Sequence, residues 1–160
     1  MAKKVMTVST SGLDQVIAEL NRVTDTKNFL PKTLYDGAGV VAKEMKTQIS
    51  ALKTSSDVKW GSTELRYPYE YEKEVLEQNF GIAPFKWDGD TLDTKVGFDG
   101  YYTNKKGQKR AIPLLANAVN AGTTFLKKQP FKDKTYRATK ETSVKAMQST
   151  LNQEIAKLTK

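Results

Sequence analysis

The chain has no cysteine and no histidine among its 160 residues. Without cysteine there are no disulfides, no thiolate zinc sites and no thiol nucleophile, a composition that fits assembly in a reducing cytoplasm. Without histidine the commonest metal ligand and the usual general base near neutral pH are missing too. Triads, dyads and most transition-metal sites are thereby removed, and only chemistry run on carboxylates would remain. No apolar run approaches the roughly 20 residues that a membrane-spanning helix needs. The opening MAKKVMTVSTSG carries two lysines but no apolar stretch behind them, so it does not read as a signal peptide. The expectation is a non-enzymatic protein with no cofactor, no metal and no membrane partner.

What is present is charge, unevenly spread. Residues 1–100 carry 13 Lys/Arg against 15 Asp/Glu, whereas residues 101–160 carry 13 against 3. The basic excess lies in the last 60 residues, and such polarity suits a surface that meets nucleic acid or an acidic neighbour. The alternative is a soluble helix with lysines along its wet face.

The length fits one domain, 1–160, with a flexible terminus over 1–10. Ser11 is placed to cap a first helix bearing Leu13, Val16, Ile17, Leu20 and Val23. Asp25 to Leu30 reads as a joint, and Pro31 as the start of a longer helix with Leu34, Ala38, Val41, Met45, Ile49 and Leu52 on one stripe. Thr54 to Ser62 reads as a loop. In RYPYEYEKE, Tyr67, Tyr69 and Tyr71 alternate around Pro68. Beside Arg66 they could stack bases of a single strand, but stacking platforms sit in basic grooves and this segment is acidic. Tyrosines laid against the domain or a neighbouring subunit fit better.

Phe80 to Trp87, the turn Asp88-Gly89-Asp90 and Thr91 to Phe98 read as a hairpin, with Leu92, Thr94, Val96 and Phe98 on one face. Pro84 places the first strand at an edge or a bulge. Asp88, Asp90 and Asp93 lack the alternate spacing and closing glutamate of a calcium loop, so a solvated turn is the reading. Asp99 to Arg110 is expected to be a mobile loop, with the mobile stretch running to Ala111. It is rich in Gly, Asn and Lys and suited to ordering on a partner. Ile112 to Phe131 then holds a short helix, opened by Pro113 and closed by Gly122 in the left-handed conformation. A dibasic link, Thr123 to Gln129, follows, and Pro130-Phe131 leads into a terminal helix with Val144, Met147, Leu151, Ile155 and Leu158 as its apolar line. The fold class is α+β: N-terminal helices, a small antiparallel hairpin or sheet, a short central helix, and a long C-terminal helix packed on the sheet.

Three stretches carry a family resemblance: Lys95-Val-Gly-Phe-Asp-Gly-Tyr101, the helix L-x-A-x-x-V-x-x-GT ending Asn120-Ala121-Gly122-Thr123, and the KK-x-PF of Lys127 to Phe131. With helices before the hairpin and a long helix at the end, roughly Leu30 to Leu158 resembles the tail-completion or head–tail joining ("neck") proteins of long-tailed bacteriophages, in the versions found in Gram-positive hosts. The resemblance implies a virion structural role with no reaction. It implies a ring of copies made in the bacterial cytoplasm, placed between the head connector and the tail tube or its terminator, with only non-specific contact to DNA in the channel. Head-to-tail ring contacts are heterologous, and an acidic front half meeting a basic back half would suit them. The residues expected at a subunit or neighbour interface are Lys105, Lys106, Lys109, Arg110, Thr123, Thr124, Phe125, Lys127 and Lys128, with Pro113, Gly122, Pro130 and Phe131 as the structural motif around them. The competing reading is a small basic DNA-binding accessory protein whose affinity falls steeply with salt.

Overall fold

The computed structural model describes residues 6–8, 26–56, 64–89 and 91–158. The first expected helix, from Ser11 to Thr24, lies outside them. The fold is α+β, built from β1 (Met6–Val8), α1 (Thr26–Ser50), α2 (Glu70–Gln78), β2 (Phe80–Ile82), β3 (Lys86–Asp88), β4 (Thr91–Phe98), β5 (Tyr101–Thr103), β6 (Lys109–Ala111), α3 (Ile112–Ala121) and α4 (Phe131–Leu158). The chain divides into two compact units: residues 1–42, 82–96 and 138–160 form one, and 43–81 with 97–137 the other.

In the first unit β4 is the organising strand. It pairs antiparallel with β1 through Met6↔Val96 and Val8↔Thr94, and with β3 through Lys86↔Asp93 and Asp88↔Thr91. Part of the expected flexible terminus is therefore a strand. The anticipated hairpin forms, and Gly89 at its turn has φ +59°, the sign that favours glycine. Its first strand is split at Ala83–Phe85, around Pro84, into β2 and β3, and β2 also pairs with β4. The break is tied down by Ala83 N–H donating to the Lys95 carbonyl and by the Thr94 hydroxyl donating to the Ala83 carbonyl. Leu92, Thr94 and Val96 are buried, as period-two alternation requires.

Helix α1 begins a turn earlier than Pro31, at Thr26. Its stripe of Leu34, Ala38, Val41, Met45 and Ile49 is buried throughout, as is Leu52 just past its end. Within the first unit α1 runs antiparallel to α4: Lys32 pairs with Glu154 at 2.6 Å, Thr150 Oγ1 donates to Asp36 at 2.6 Å, and Gly37 lies under Met147. The expected apolar line of α4 is only partly its packing face. Met147 and Leu151 are buried, but Val144 is 38% exposed and Ile155 half-buried. Thr135, Thr139, Ser143 and Thr150 fill the buried positions instead. A hydroxyl can be buried in a helix at little cost when it donates back into its own helix, as Thr135 does to the Phe131 carbonyl at 2.9 Å and Ser143 to that of Lys140 at 3.3 Å.

Candidate interaction surface

Every expected interface residue falls in the second unit. There the stretch forecast as a mobile loop is mostly an antiparallel hairpin, β5 against β6, with Tyr101↔Ala111 and Thr103↔Lys109 in register. The Asn104 side chain organises its turn: Oδ1 accepts the N–H groups of Lys106 and Gln108, and Gly107 N–H donates to the Asn104 carbonyl. Asparagine side chains mimic backbone in this way. Sequence pattern missed the hairpin because KKGQKR has no apolar alternation to announce a strand.

Helix α3 runs from Ile112 to Ala121 with Pro113 in its first turn, as expected. Gly122 has the expected positive φ of +78°, but its ψ is 166°. That is the mirror-extended region open essentially to glycine alone, rather than the left-handed helical one. The chain consequently folds back over Gly122, whose imagined Cβ would lie 3.1 Å from Lys128 Cβ and N and 3.2 Å from the Leu126 oxygen. Thr123 holds the fold: its N–H donates to the Leu126 carbonyl, and its hydroxyl accepts from Phe125 and Leu126. Leu126 is buried beneath. Arg66 N–H donates to the Phe125 carbonyl and Lys127 N–H to that of Arg66, while Gln129 exchanges both side-chain hydrogen bonds with the Lys53 backbone. Pro130 and the buried Phe131 then start α4.

The link is therefore a knot of backbone bonds with an outward side. Thr123 serves the knot and is half-buried. Thr124, Phe125, Lys127 and Lys128 are exposed, Phe125 by 59%. On the hairpin, Lys105, Lys106, Lys109 and Arg110 are exposed as well.

The fold brings cations distant in sequence, as well as the neighbouring Arg66, onto the tyrosines. Tyr69 and Tyr71 stack at 5.8 Å with 17° between their planes. Arg66 lies 3.9 Å from the centre of the Tyr69 ring, Lys105 4.8 Å from Tyr69 and 5.8 Å from Tyr71, and Lys127 5.0 Å from Tyr67. Three cations from three separate segments thus gather on the acidic stretch, each favoured by the ring quadrupole. Glu72 anchors the group: it takes Arg66 in two bonds, of 2.9 and 3.3 Å, and accepts the Tyr69 N–H at 2.8 Å to cap α2. Burial raises the Tyr71 hydroxyl pKa, with the Glu72 charge adding to it. Lys109 goes elsewhere, over Tyr101 at 4.9 Å, and Arg110 donates to Gln108. The hairpin tip and the link are brought together at the tyrosines through Lys105 and Lys127; Lys109 and Arg110 are not.

The described residues contain no group of three or more acidic, cysteine or histidine side chains that could hold a metal. Asp88 ends β3 while Asp93 lies within β4 opposite Lys86, and Asp90 lies outside the described residues. No helix among the described residues is long and apolar enough to cross a membrane. Comparison with protein-family models, curated proteins and solved structures returns no match.

Proposed function

We propose that this chain is a non-enzymatic structural protein of a long-tailed phage virion, a neck or tail-completion subunit. In this reading copies associate as a ring and join the head connector to the tail during assembly in the host cytoplasm. The observation that carries the reading beyond its sequence resemblance is the mixed surface of the second unit. Exposed Phe125 and Tyr101 lie on the same two segments as Lys105, Lys106, Lys127 and Lys128; exposed aromatic groups are what interface cores are enriched in, and the lysines suit the polar rim around such a core.

The rival reading, a DNA-binding accessory protein, rests on the same cations. The tyrosines give it little help, because Arg66 and Lys105 already occupy Tyr69 and a covered ring is a poor base-stacking platform. A salt titration against duplex DNA separates the two: no binding at low salt removes the rival. The direct test of the neck reading is electron microscopy of particles assembled without the gene. Isolated full heads beside free tails are expected, and heads already joined to normal tails would overturn it.

A further inference from the structure

The second unit holds a lysine that the surface above does not use. Lys132 sits in the first turn of α4, half-buried, with Nζ 2.7 Å from Asn117 Oδ1 on α3 and 5.4 Å from the centre of the Phe98 ring. Phe98 is packed by Phe80 and Phe131, at 5.4 and 6.0 Å between ring centres, so the amine is set against an aromatic wall. The surrounding bonds fix both partners. Lys132 N–H donates to Asn120 Oδ1 at 2.8 Å, tying the start of α4 to the end of α3. We propose that Lys132 and Asn117 are a self-linking pair, which closes an intramolecular isopeptide bond between α4 and α3.

The chemistry is aminolysis of a primary amide. The Nζ lone pair attacks Asn117 Cγ, the Cγ–Nδ2 bond breaks, and the proton that Nζ sheds leaves on Nδ2 as part of one molecule of ammonia. No oxidant, metal or cofactor is needed. Besides proton transfer to the leaving nitrogen, such a reaction has two requirements that bear on the amine. The first is proximity: with Nζ 2.7 Å from Oδ1, the amide carbon is no farther than about 3.9 Å, the contact distance plus one carbonyl bond, close to the near-attack range. The second is an uncharged amine, since the ammonium has no lone pair. Burial lowers the Lys132 pKa to about 8, against the opposing charge of Asp133. The N-terminal end of α4 disfavours the cation in the same direction. Asn117 and Asn120 from α3 and Phe98 from β4 bring no titratable group to the amine, which leaves Asp133 as the charge acting on it among the described residues.

The bond would bridge α3 and α4 across the folded link, closing a covalent ring around Gly122 to Pro130. Its existence is independent of the neck reading, which concerns what the surface meets. The test is the intact mass of the purified full chain after incubation at pH 6 and at pH 9, beside Lys132→Arg and Asn117→Ala. The expected result is a species lighter by one ammonia that accumulates faster at pH 9, with a digest in which the peptide carrying Asn117 is joined to the one carrying Lys132. Lys132→Arg keeps a cation and a hydrogen-bond donor and should stay at full mass. A wild-type chain at full mass after incubation at pH 9 overturns the proposal. So does a lighter species that persists in Lys132→Arg, because that loss would be a succinimide at another asparagine.

Discussion

Removing the Glu72 carboxylate should be among the most damaging single changes in the second unit. The Glu72 side chain is 6% exposed and that of Arg66 16%, and the pair shares two hydrogen bonds. Taking one partner from a buried pair strands the other charge at about 3–5 kcal/mol; the partial exposure of Arg66 brings that to about 2–3. Glu72 also accepts the Tyr69 N–H, and loss of such a cap costs about 1 kcal/mol. Glu72→Ala should therefore cost about 3–4 kcal/mol, a large part of the 5–15 that holds a typical domain. The double variant Arg66→Met/Glu72→Met distinguishes the causes. It removes both charges and nearly keeps volume, and an apolar pair in such a site is often neutral, so the cap term of about 1 kcal/mol and the Arg66–Tyr69 cation–aromatic contact of about 0.5–1 kcal/mol should remain. Urea unfolding at constant slope gives each value from the midpoint. If Glu72→Ala costs less than about 1 kcal/mol, or the double variant costs as much as Glu72→Ala, the stranded-charge argument is refuted.

Gly122→Ala meets both a backbone conformation essentially closed to alanine and contacts of 3.1 Å, so a loss of about 2–4 kcal/mol in thermal or urea unfolding is expected. Gly37→Ala sets about 1 kcal/mol of helix propensity against a Cβ 2.5 Å from Met147 Cγ; overpacking of about 1–3 kcal/mol should win, and the same change in a Met147→Ala background should be neutral or stabilising. Glu154 is hydrogen-bonded by Lys157 and Lys32, which hold its pKa below 4.5. A depressed carboxylate contributes above its unfolded pKa and loses that contribution as pH falls through its folded one. Glu154→Gln should thus be less stable than wild type at neutral pH, and the gap should close in acid titration below pH 4.5. Lys127→Glu/Lys128→Glu should lower stability by only about 0.5–1 kcal/mol, the Lys127–Tyr67 contact, while stopping particle completion; variant particles with heads joined to tails would make the link only a connector.

The parts of the fold legible in the sequence are those where one rule acts over a short range. The α1 stripe follows from apolar spacing, α3 from a proline start and a glycine stop, and the β3–β4 turn from Asp-Gly between apolar-rich runs. Helix α4 shows where that fails. Its packing face alternates Phe131, Thr135, Thr139, Ser143 and Met147 at intervals of four, and a search for apolar residues passes over hydroxyls that the helix itself satisfies. Apolar spacing therefore points to Val144 in place of Ser143, one residue and about 100° of helix away. The cations on the tyrosines were hidden for a different reason. Lys105 and Lys127 lie far from Tyr67–Tyr71 in sequence, and only the hairpin and the folded link bring them there. Local composition made the segment acidic; tertiary structure makes it a place where cations collect.

That reversal bears on how the link should be tested. Its fold depends on the hydrogen bonds of the Thr123 hydroxyl and the Gln129 amide, on buried Leu126 and on the space left by Gly122. The Phe125, Lys127 and Lys128 side chains are exposed, and Lys127 and Phe125 reach Arg66 through backbone atoms that any replacement retains. Side-chain identity on the outer face can thus change without removing a backbone bond, at the cost of one exposed cation–aromatic contact of about 0.5–1 kcal/mol where Lys127 is replaced. A defect in assembly from outer-face substitutions, with inner-face positions intact and the unfolding midpoint held, reports a lost contact with a neighbour. The same defect from Thr123→Val or Gly122→Ala would report a collapsed link and say nothing about a partner.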